Sequence, residues 1–122
     1  MSGHVTYFKS QLEPRFKKNA KSRRALEFSK LEVHRLVDIR DRRQCRACGQ
    51  KCVSTMAAVP ERWERHEIQP RSLGGKISIT NTVGLCLSCH HDASPAGGKV
   101  LTISGNPQQR LRFEQGGEVW FS

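Results

Sequence analysis

Four cysteines form two Cys-x2-Cys pairs that are far apart in the chain. The pairs are Cys45 with Cys48 and Cys86 with Cys89. Two such pairs supply four thiolates, which is the ligand set of a closed, tetrahedral zinc site that stabilises structure. The long interval between the pairs predicts that a whole substructure is inserted between the two metal-binding turns.

This interval contains residues that can bind and use a second, reactive metal ion. His66 and Glu67 are adjacent, Asn81 follows, and His90 comes directly after Cys89. Imidazoles and carboxylates bind divalent cations and accept protons from water, which phosphodiester hydrolysis requires. Each residue alone has an ordinary explanation: a surface histidine, a solvated glutamate, a turn asparagine, and for His90 a ligand in a zinc site of three cysteines and one histidine. Taken in this order, they predict a small metal-dependent nuclease.

The composition favours a nucleic-acid partner. The chain has 122 residues, of which 36% are hydrophobic, so we expect one domain with a limited core that zinc helps to stabilise. Lys and Arg number 21 against 11 Asp and Glu, for a formal net charge of +10. Such a charge favours a polyanion. An anionic membrane surface is disfavoured, because no long amphipathic helix with an aromatic face is evident.

The cysteine count argues against disulfides. Five cysteines are an odd number, and two pairs have metal-ligand spacing. Cys52, the fifth, is predicted either to replace Cys48 as a ligand or to remain unpaired. Residues 1–11 lack an apolar run followed by a cleavage site, and no segment is apolar for long enough to cross a bilayer. These features predict a cytoplasmic protein with reduced thiols.

Residues 1–42 are predicted to form a basic arm and a helix. The helix is expected to begin after Ser22, which can cap it, and to end near Arg42. Arg23 and Arg24 make its start strongly basic, which fits either a solvated face or a phosphate-binding one. The apolar positions at helical spacing are Leu26, Val33 and Val37, with Leu36 beside them.

Residues 43–98 are predicted to hold a strand hairpin and a short helix between and after the metal-binding turns. The strands are expected from Trp63 to Gln69 and from Ile77 to Val83, with a glycine turn between them. The helix follows Leu85 and stops near Pro95. Residues 99–122 have apolar clusters separated by Gly-Asn-Pro and Gly-Gly, which predicts a C-terminal β tail. We treat all three segments as one domain.

The motif His66-Glu67-Ile68, Pro70-Arg71-Ser72, Gly74-Gly75, Asn81 and Leu85-Cys86-x2-Cys89-His90 resembles that of HNH endonucleases. The resemblance covers about residues 43–95 and is strongest to small zinc-stapled members common in phages and prophages. It implies an α+β fold: a small ββα-metal core with a four-cysteine zinc staple. The N-terminal basic helix and the C-terminal β segments would lie outside this core.

The resemblance also implies a role for each residue of the motif. His66 would be a ligand to the catalytic divalent cation, and Glu67 would be the general base that activates water. The family more often has His at the base position, so an exchange of these two roles stays open. Asn81 would brace the loop of the motif through hydrogen bonds to its backbone. His90 would be the second metal ligand.

Some family members carry a further ligand about four residues after the last histidine. That position is Ser94 here, which is a poor ligand. His91, Asp92 or water would then complete the metal shell.

The predicted function is metal-dependent hydrolysis of phosphodiester bonds in double-stranded DNA. A monomer would nick one strand, and a homodimer would cut both. The cofactors would be a structural Zn²⁺ and a catalytic Mg²⁺, Mn²⁺ or Ni²⁺. Arg71 and Lys76 are candidates to steady the phosphate; Arg71 can equally be a surface residue, and for Lys76 the surface role is favoured. The alternative is a non-catalytic zinc-ribbon module that binds nucleic acid. The expected location is the cytoplasm of a bacterial or phage-infected cell.

Overall fold

A computed structural model describes residues 29–122. Within this range the chain forms two α-helices and two small antiparallel sheets, which confirms the predicted α+β class. The predicted arm, with Arg23 and Arg24, lies outside the described residues. The elements are α1 (Lys30–Asp41), β1 (Trp63–Glu67), β2 (Thr82–Cys86), α2 (Leu87–Ala93), β3 (Thr102–Asn106), β4 (Arg110–Gln115) and β5 (Glu118–Phe121), with short 3-10 turns at Arg71–Leu73 and Pro95–Gly97.

Helix α1 begins later than predicted. Ser29 has an extended backbone, with ψ of 164°, so a continuous helix from Ser22 is wrong. The Ser29 hydroxyl accepts a hydrogen bond from the Glu32 amide at 3.2 Å, and the Glu32 carboxylate accepts one from the Ser29 amide at 3.4 Å. This reciprocal pair is a capping box, whose Ser-x-x-Glu pattern is readable in the sequence. The predicted apolar positions Val33, Leu36 and Val37 are buried.

Strands β1 and β2 form the hairpin that carries the site. They pair antiparallel, with Trp63 opposite Cys86 and Glu67 opposite Thr82. Helix α1 packs on β2, and α2 packs on both strands. Gly84 has to be glycine, because a Cβ there would lie 1.8 Å from the Trp63 indole. The ring therefore lies directly over the backbone of β2.

The returning strand lies further along the chain than predicted. It spans Thr82–Cys86 rather than Ile77 to Val83. Ile77 and Ile79 pack against the edge of the core from within the connection between the strands. Their alternation therefore reflects packing from a loop and not pairing in a ladder, which a period of two cannot distinguish in so short a segment.

The C-terminal segment forms the three-stranded sheet β3–β4–β5, in line with the predicted β tail. Leu111 and Phe113 of β4 are fully buried and belong to the same core as Val33, Trp63 and Leu85. Within the sheet, the Trp120 ring stacks on Phe113, and its Nε1 donates a hydrogen bond of 2.7 Å to the Ala47 carbonyl. The tail therefore covers the first metal-binding turn.

A buried carboxylate ties α1 to the first metal-binding turn and to the hairpin. Asp41 is 5% exposed and accepts hydrogen bonds from the Arg40 and Arg46 guanidiniums and from the Gly84 amide, at 2.8 to 2.9 Å. Three charge-assisted partners compensate for the desolvation of its charge. No helix in residues 29–122 is long and apolar enough to cross a membrane.

Candidate active site

The four paired cysteines converge on one point. Their Sγ atoms all lie within 4.8 Å of one another, so the four cysteines could hold one metal ion. Cys48 Sγ and Cys86 Sγ are 3.8 Å apart. A tetrahedral zinc ion with Zn–S bonds of about 2.3 Å sets its sulfurs about 3.8 Å apart, so this spacing fits zinc. The Cys48 and Cys89 amides each point to the first sulfur of their own pair at 3.4 Å, which helps to stabilise thiolates.

The four clustered thiols have different pKa values because they lie so close together. A hydrogen bond from Cys89 lowers the pKa of Cys45 to about 5, whereas burial raises the pKa of Cys86 to about 11. The pKa of Cys89 is raised as well, mainly because its thiol is the partner of Cys45. One thiolate therefore forms readily, and a bound cation would favour ionisation of the others. Cys52 is buried outside this group, with its Sγ 3.5 Å from the Gln50 carbonyl.

The second metal-binding turn also positions His90. Cys86 ends β2 and caps α2, Cys89 lies in the first turn of α2, and His90 follows it. His66 lies on β1, opposite Val83. The two imidazoles meet with Nδ1 atoms 3.1 Å apart and ring planes at 72°. The sulfur cluster and the paired imidazoles are thus held by the same short helix.

The geometry and protonation of the two histidines fit a shared divalent cation. Burial lowers the pKa of His66 to about 4, with smaller contributions from His90 and Lys99. Burial also lowers the pKa of His90, and the nearby Glu64 carboxylate opposes that shift only in part. Burial therefore favours the neutral form of both rings, which is the form that metal ligation requires. Two nitrogens bound at right angles, with bonds of about 2.1 Å, would be about 3.0 Å apart, close to the observed distance.

Glu67 reaches the same cleft from the other face of β1. Side chains alternate along a strand, so Glu67 points to the face opposite His66. Its Oε2 is 4.0 Å from Arg71 Nε. The cleft has a volume of about 790 Å³ and is lined by both histidines, Glu67 and Arg71. The structure therefore brings three of the four predicted catalytic residues to one cavity.

The cleft also has cationic walls that sequence reasoning missed. Lys30 and His34 of α1 line the cleft, and so does Lys99. Neither lysine forms an ion pair among the described residues, whereas Arg65 is held by Asp38. Lys30, His34 and Asp38 recur every four residues along α1, which is a readable signal for a shared face. Lys99 has no such signal in the sequence. It follows Gly98 in a turn and has a left-handed backbone itself, with a φ of 51°.

Asn81 lies beside the cleft and closes the connection between β1 and β2. Its Oδ1 accepts a hydrogen bond from the Gln69 amide at 2.8 Å. Its Nδ2 donates to the Gln69 and Lys76 carbonyls, each at 2.9 Å. The Lys76 side chain is exposed and does not line the cleft. The side-chain amide of Asn81 thus holds both ends of the segment between Gln69 and Lys76.

His91 and Asp92 do not line the cleft. Asp92 is directed to the C-terminal sheet, where the Gln115 amide lies 3.4 Å from its carboxylate. Ser94 donates its hydroxyl to the His90 carbonyl at 2.6 Å. These three positions therefore support α2 and its turn, and none of them contributes a donor beside the histidine pair.

Replacing Asn81 with alanine is expected to loosen this loop. Three hydrogen bonds are lost, each worth about 0.5–1.5 kcal/mol, so the free energy of unfolding should fall by about 1.5–4.5 kcal/mol. Urea denaturation followed by circular dichroism measures this change. Thr80→Ala on the same loop is the control and should have little effect, because the Thr80 hydroxyl bonds only to Ser78. Equal stability of the Asn81 variant and the parent would contradict the bracing role.

A strand hairpin followed by a helix, with facing imidazoles from the first strand and the helix, defines the class of ββα-metal nucleases. Residues 45–95 match the family model described as HNH endonuclease, so this part of the chain is similar to an HNH endonuclease domain. The search of curated proteins and the search of solved structures each gave no match. The family indicates a nuclease-type function and association with nucleic acid. It does not favour the alternative of a non-catalytic zinc ribbon.

Proposed function

We propose that this protein is a metal-dependent endonuclease that hydrolyses phosphodiester bonds in double-stranded DNA. The observation that carries the proposal is the pair of imidazoles, His66 and His90, whose Nδ1 atoms lie 3.1 Å apart in a basic cleft. The sulfur cluster would hold a structural Zn²⁺. The histidine pair would hold Mg²⁺, Mn²⁺ or Ni²⁺, which would neutralise charge on the phosphate and polarise water.

Glu67 is proposed as the general base. It would take a proton from water as the water oxygen forms a bond to phosphorus and the bond to the leaving sugar oxygen breaks. The leaving oxygen would then take a proton from solvent. Arg71, whose Nε is 4.0 Å from the Glu67 carboxylate, would steady the phosphate beside the base.

The geometry supports His66 as a ligand and not as the base. Its Nδ1 faces His90 Nδ1, so the two rings can share one cation. Its pKa of about 4 leaves it no more basic than a carboxylate, so it has no advantage in proton transfer. Glu67 lies on the other face of β1, where its oxygens can meet a water without displacing either ring.

The duplex would lie in the cleft through contacts to its phosphates. The formal net charge of +10 favours DNA as a polyanion. Lys30 and Lys99 line the same cleft as the histidines, so a backbone passing the histidine pair would meet both cations. One site cuts one strand, and a homodimer would cut both. The reduced thiols fit a cytoplasmic location.

A plasmid-nicking assay tests the proposed function. Zinc-loaded protein is incubated with supercoiled plasmid and Mg²⁺, Mn²⁺ or Ni²⁺, with EDTA-treated samples as the reference. We expect conversion to the open circle with at least one of these ions and none with EDTA. No conversion with any ion, by protein shown to be folded and zinc-loaded, would refute the proposal.

Removing the wall lysines is expected to reduce the salt dependence of DNA binding. Each phosphate contact contributes about 0.9 to the steepness of the slope of log K against log salt concentration. In the double variant Lys30→Ala with Lys99→Ala, this slope should therefore become less steep by about 1.8. Fluorescence anisotropy of a labelled duplex, without a catalytic cation, measures the slope. Lys51→Ala is the control, since Lys51 is exposed but lies outside the cleft. An unchanged slope in the double variant would place the duplex elsewhere.

A further inference from the structure

A carboxylate outside the predicted site faces the outer edge of the His90 ring. Glu64 is two residues before His66 and shares its face of β1. Its Oε2 accepts a hydrogen bond of 3.0 Å from Arg62 Nε. Its Oε1 lies 4.0 Å from His90 Nε2, while the Nδ1 of that ring faces His66. The two nitrogens of one imidazole therefore have different partners.

We propose that Glu64, held by Arg62, is a positioning residue that keeps the His90 proton on Nε2. This leaves His90 Nδ1 unprotonated and directed at His66. The inference rests on the proposed use of the histidine pair as a cation site. It assigns Glu64 a role that the motif does not contain.

The tautomer of His90 decides whether the pair can bind a cation. A neutral imidazole carries one proton, so one nitrogen donates and the other accepts. If both Nδ1 atoms are to face one cation, both must be free of protons. An ionised carboxylate only accepts hydrogen bonds, so its position beside Nε2 favours the proton there. The Arg62 contact fixes one oxygen of Glu64 and so directs the other toward the ring.

Distance and burial are consistent with this positioning role. The separation of 4.0 Å is about 1 Å longer than a hydrogen bond, so the carboxylate is adjacent to the ring without being bonded to it. The Glu64 and His90 side chains are 26% and 30% exposed, so the attraction is only partly screened by solvent. Arg62, a second charged group near His90, is bound to Glu64 itself.

Glu64 lies beside the proposed metal ligand His90 but is not itself a metal ligand. The cleft is lined by His66 and His90 but not by Glu64. Glu64 instead lines a separate depression with Met56, Arg62 and Trp63. An ion between the two Nδ1 atoms would meet the inner edge of the His90 ring, whereas Glu64 meets the outer edge.

Two measurements on zinc-loaded protein test the proposal. Long-range ¹H–¹⁵N spectra of the imidazoles should show His90 protonated at Nε2 in the parent and a mixture of tautomers in Glu64→Ala. Calorimetric titration with Ni²⁺ should show a roughly 10–100-fold weaker affinity in Glu64→Ala, the usual loss when a carboxylate behind a ligating histidine is removed. Glu64→Gln, which retains an acceptor oxygen, should lose less affinity than Glu64→Ala.

Glu61→Ala is the matched control, because Glu61 precedes the same strand and its side chain has no hydrogen bond to either histidine. An unchanged tautomer and an unchanged Ni²⁺ affinity in Glu64→Ala would overturn the proposal. Neither readout depends on DNA cleavage. A parent protein that binds Ni²⁺ at the histidine pair but never nicks plasmid would therefore refute the proposed function and leave the role of Glu64 standing.

Discussion

Replacing Cys86 with serine is expected to unfold the protein. Structural zinc sites in small domains contribute about 10–16 kcal/mol to folding, whereas domains are stable by only about 5–15 kcal/mol in total. Cys86 is 1% exposed and ends β2, so a serine there would break the zinc site and disturb the start of α2 together. Thermal unfolding by circular dichroism and zinc content by atomic absorption measure the outcome.

Cys52→Ser is the matched control for this change. Cys52 is also a buried thiol, but it lies outside the sulfur cluster, so this variant should keep one zinc ion per chain and a cooperative transition. A folded, zinc-free Cys86→Ser protein would contradict the role of zinc in folding. Loss of zinc in Cys52→Ser instead would mean that Cys52 is a ligand.

Replacing His90 with alanine is expected to abolish DNA cleavage and leave the fold intact. Losing one of two imidazole ligands should remove the catalytic cation. We therefore expect the cleavage rate to fall by a factor of about 10³ or more, which corresponds to about 4 kcal/mol of transition-state stabilisation. Alanine favours helix, and the His90 side chain is partly exposed, so the melting temperature should change little. Single-turnover nicking of plasmid measures the rate, and Ni²⁺ titration measures the lost affinity.

His91→Ala provides the control in the neighbouring position. His91 is exposed and does not line the cleft, so this variant should retain the cleavage rate of the parent. Full activity in His90→Ala would show that the cation binds elsewhere. Loss of activity in both variants, with loss of helical signal, would attribute the effect to α2 as a whole.

Local patterns in the sequence were sufficient for much of the core. The Cys-x2-Cys spacing identified a cluster whose sulfurs all lie within 4.8 Å of one another, because each pair presents two sulfurs from one tight turn. The apolar spacing in α1 identified Val33 and Val37 as buried. The bounds of β2 were wrong, because Ile77 and Ile79 alternate like a strand but pack from a loop that Asn81 closes.

The sequence by itself determined which metal-binding donors exist: four thiolates, and two imidazoles, one before Glu67 and one after Cys89. It also determined the excess of positive charge. Only the tertiary structure decided how these donors meet. The 3.1 Å approach of the imidazoles depends on a hairpin register and on a helix that starts at a cysteine of the sulfur cluster. Lys30 and Lys99 line the cleft from α1 and from the segment after α2. Such neighbours have no common spacing along the chain, because burial and strand pairing, not sequence distance, bring them together.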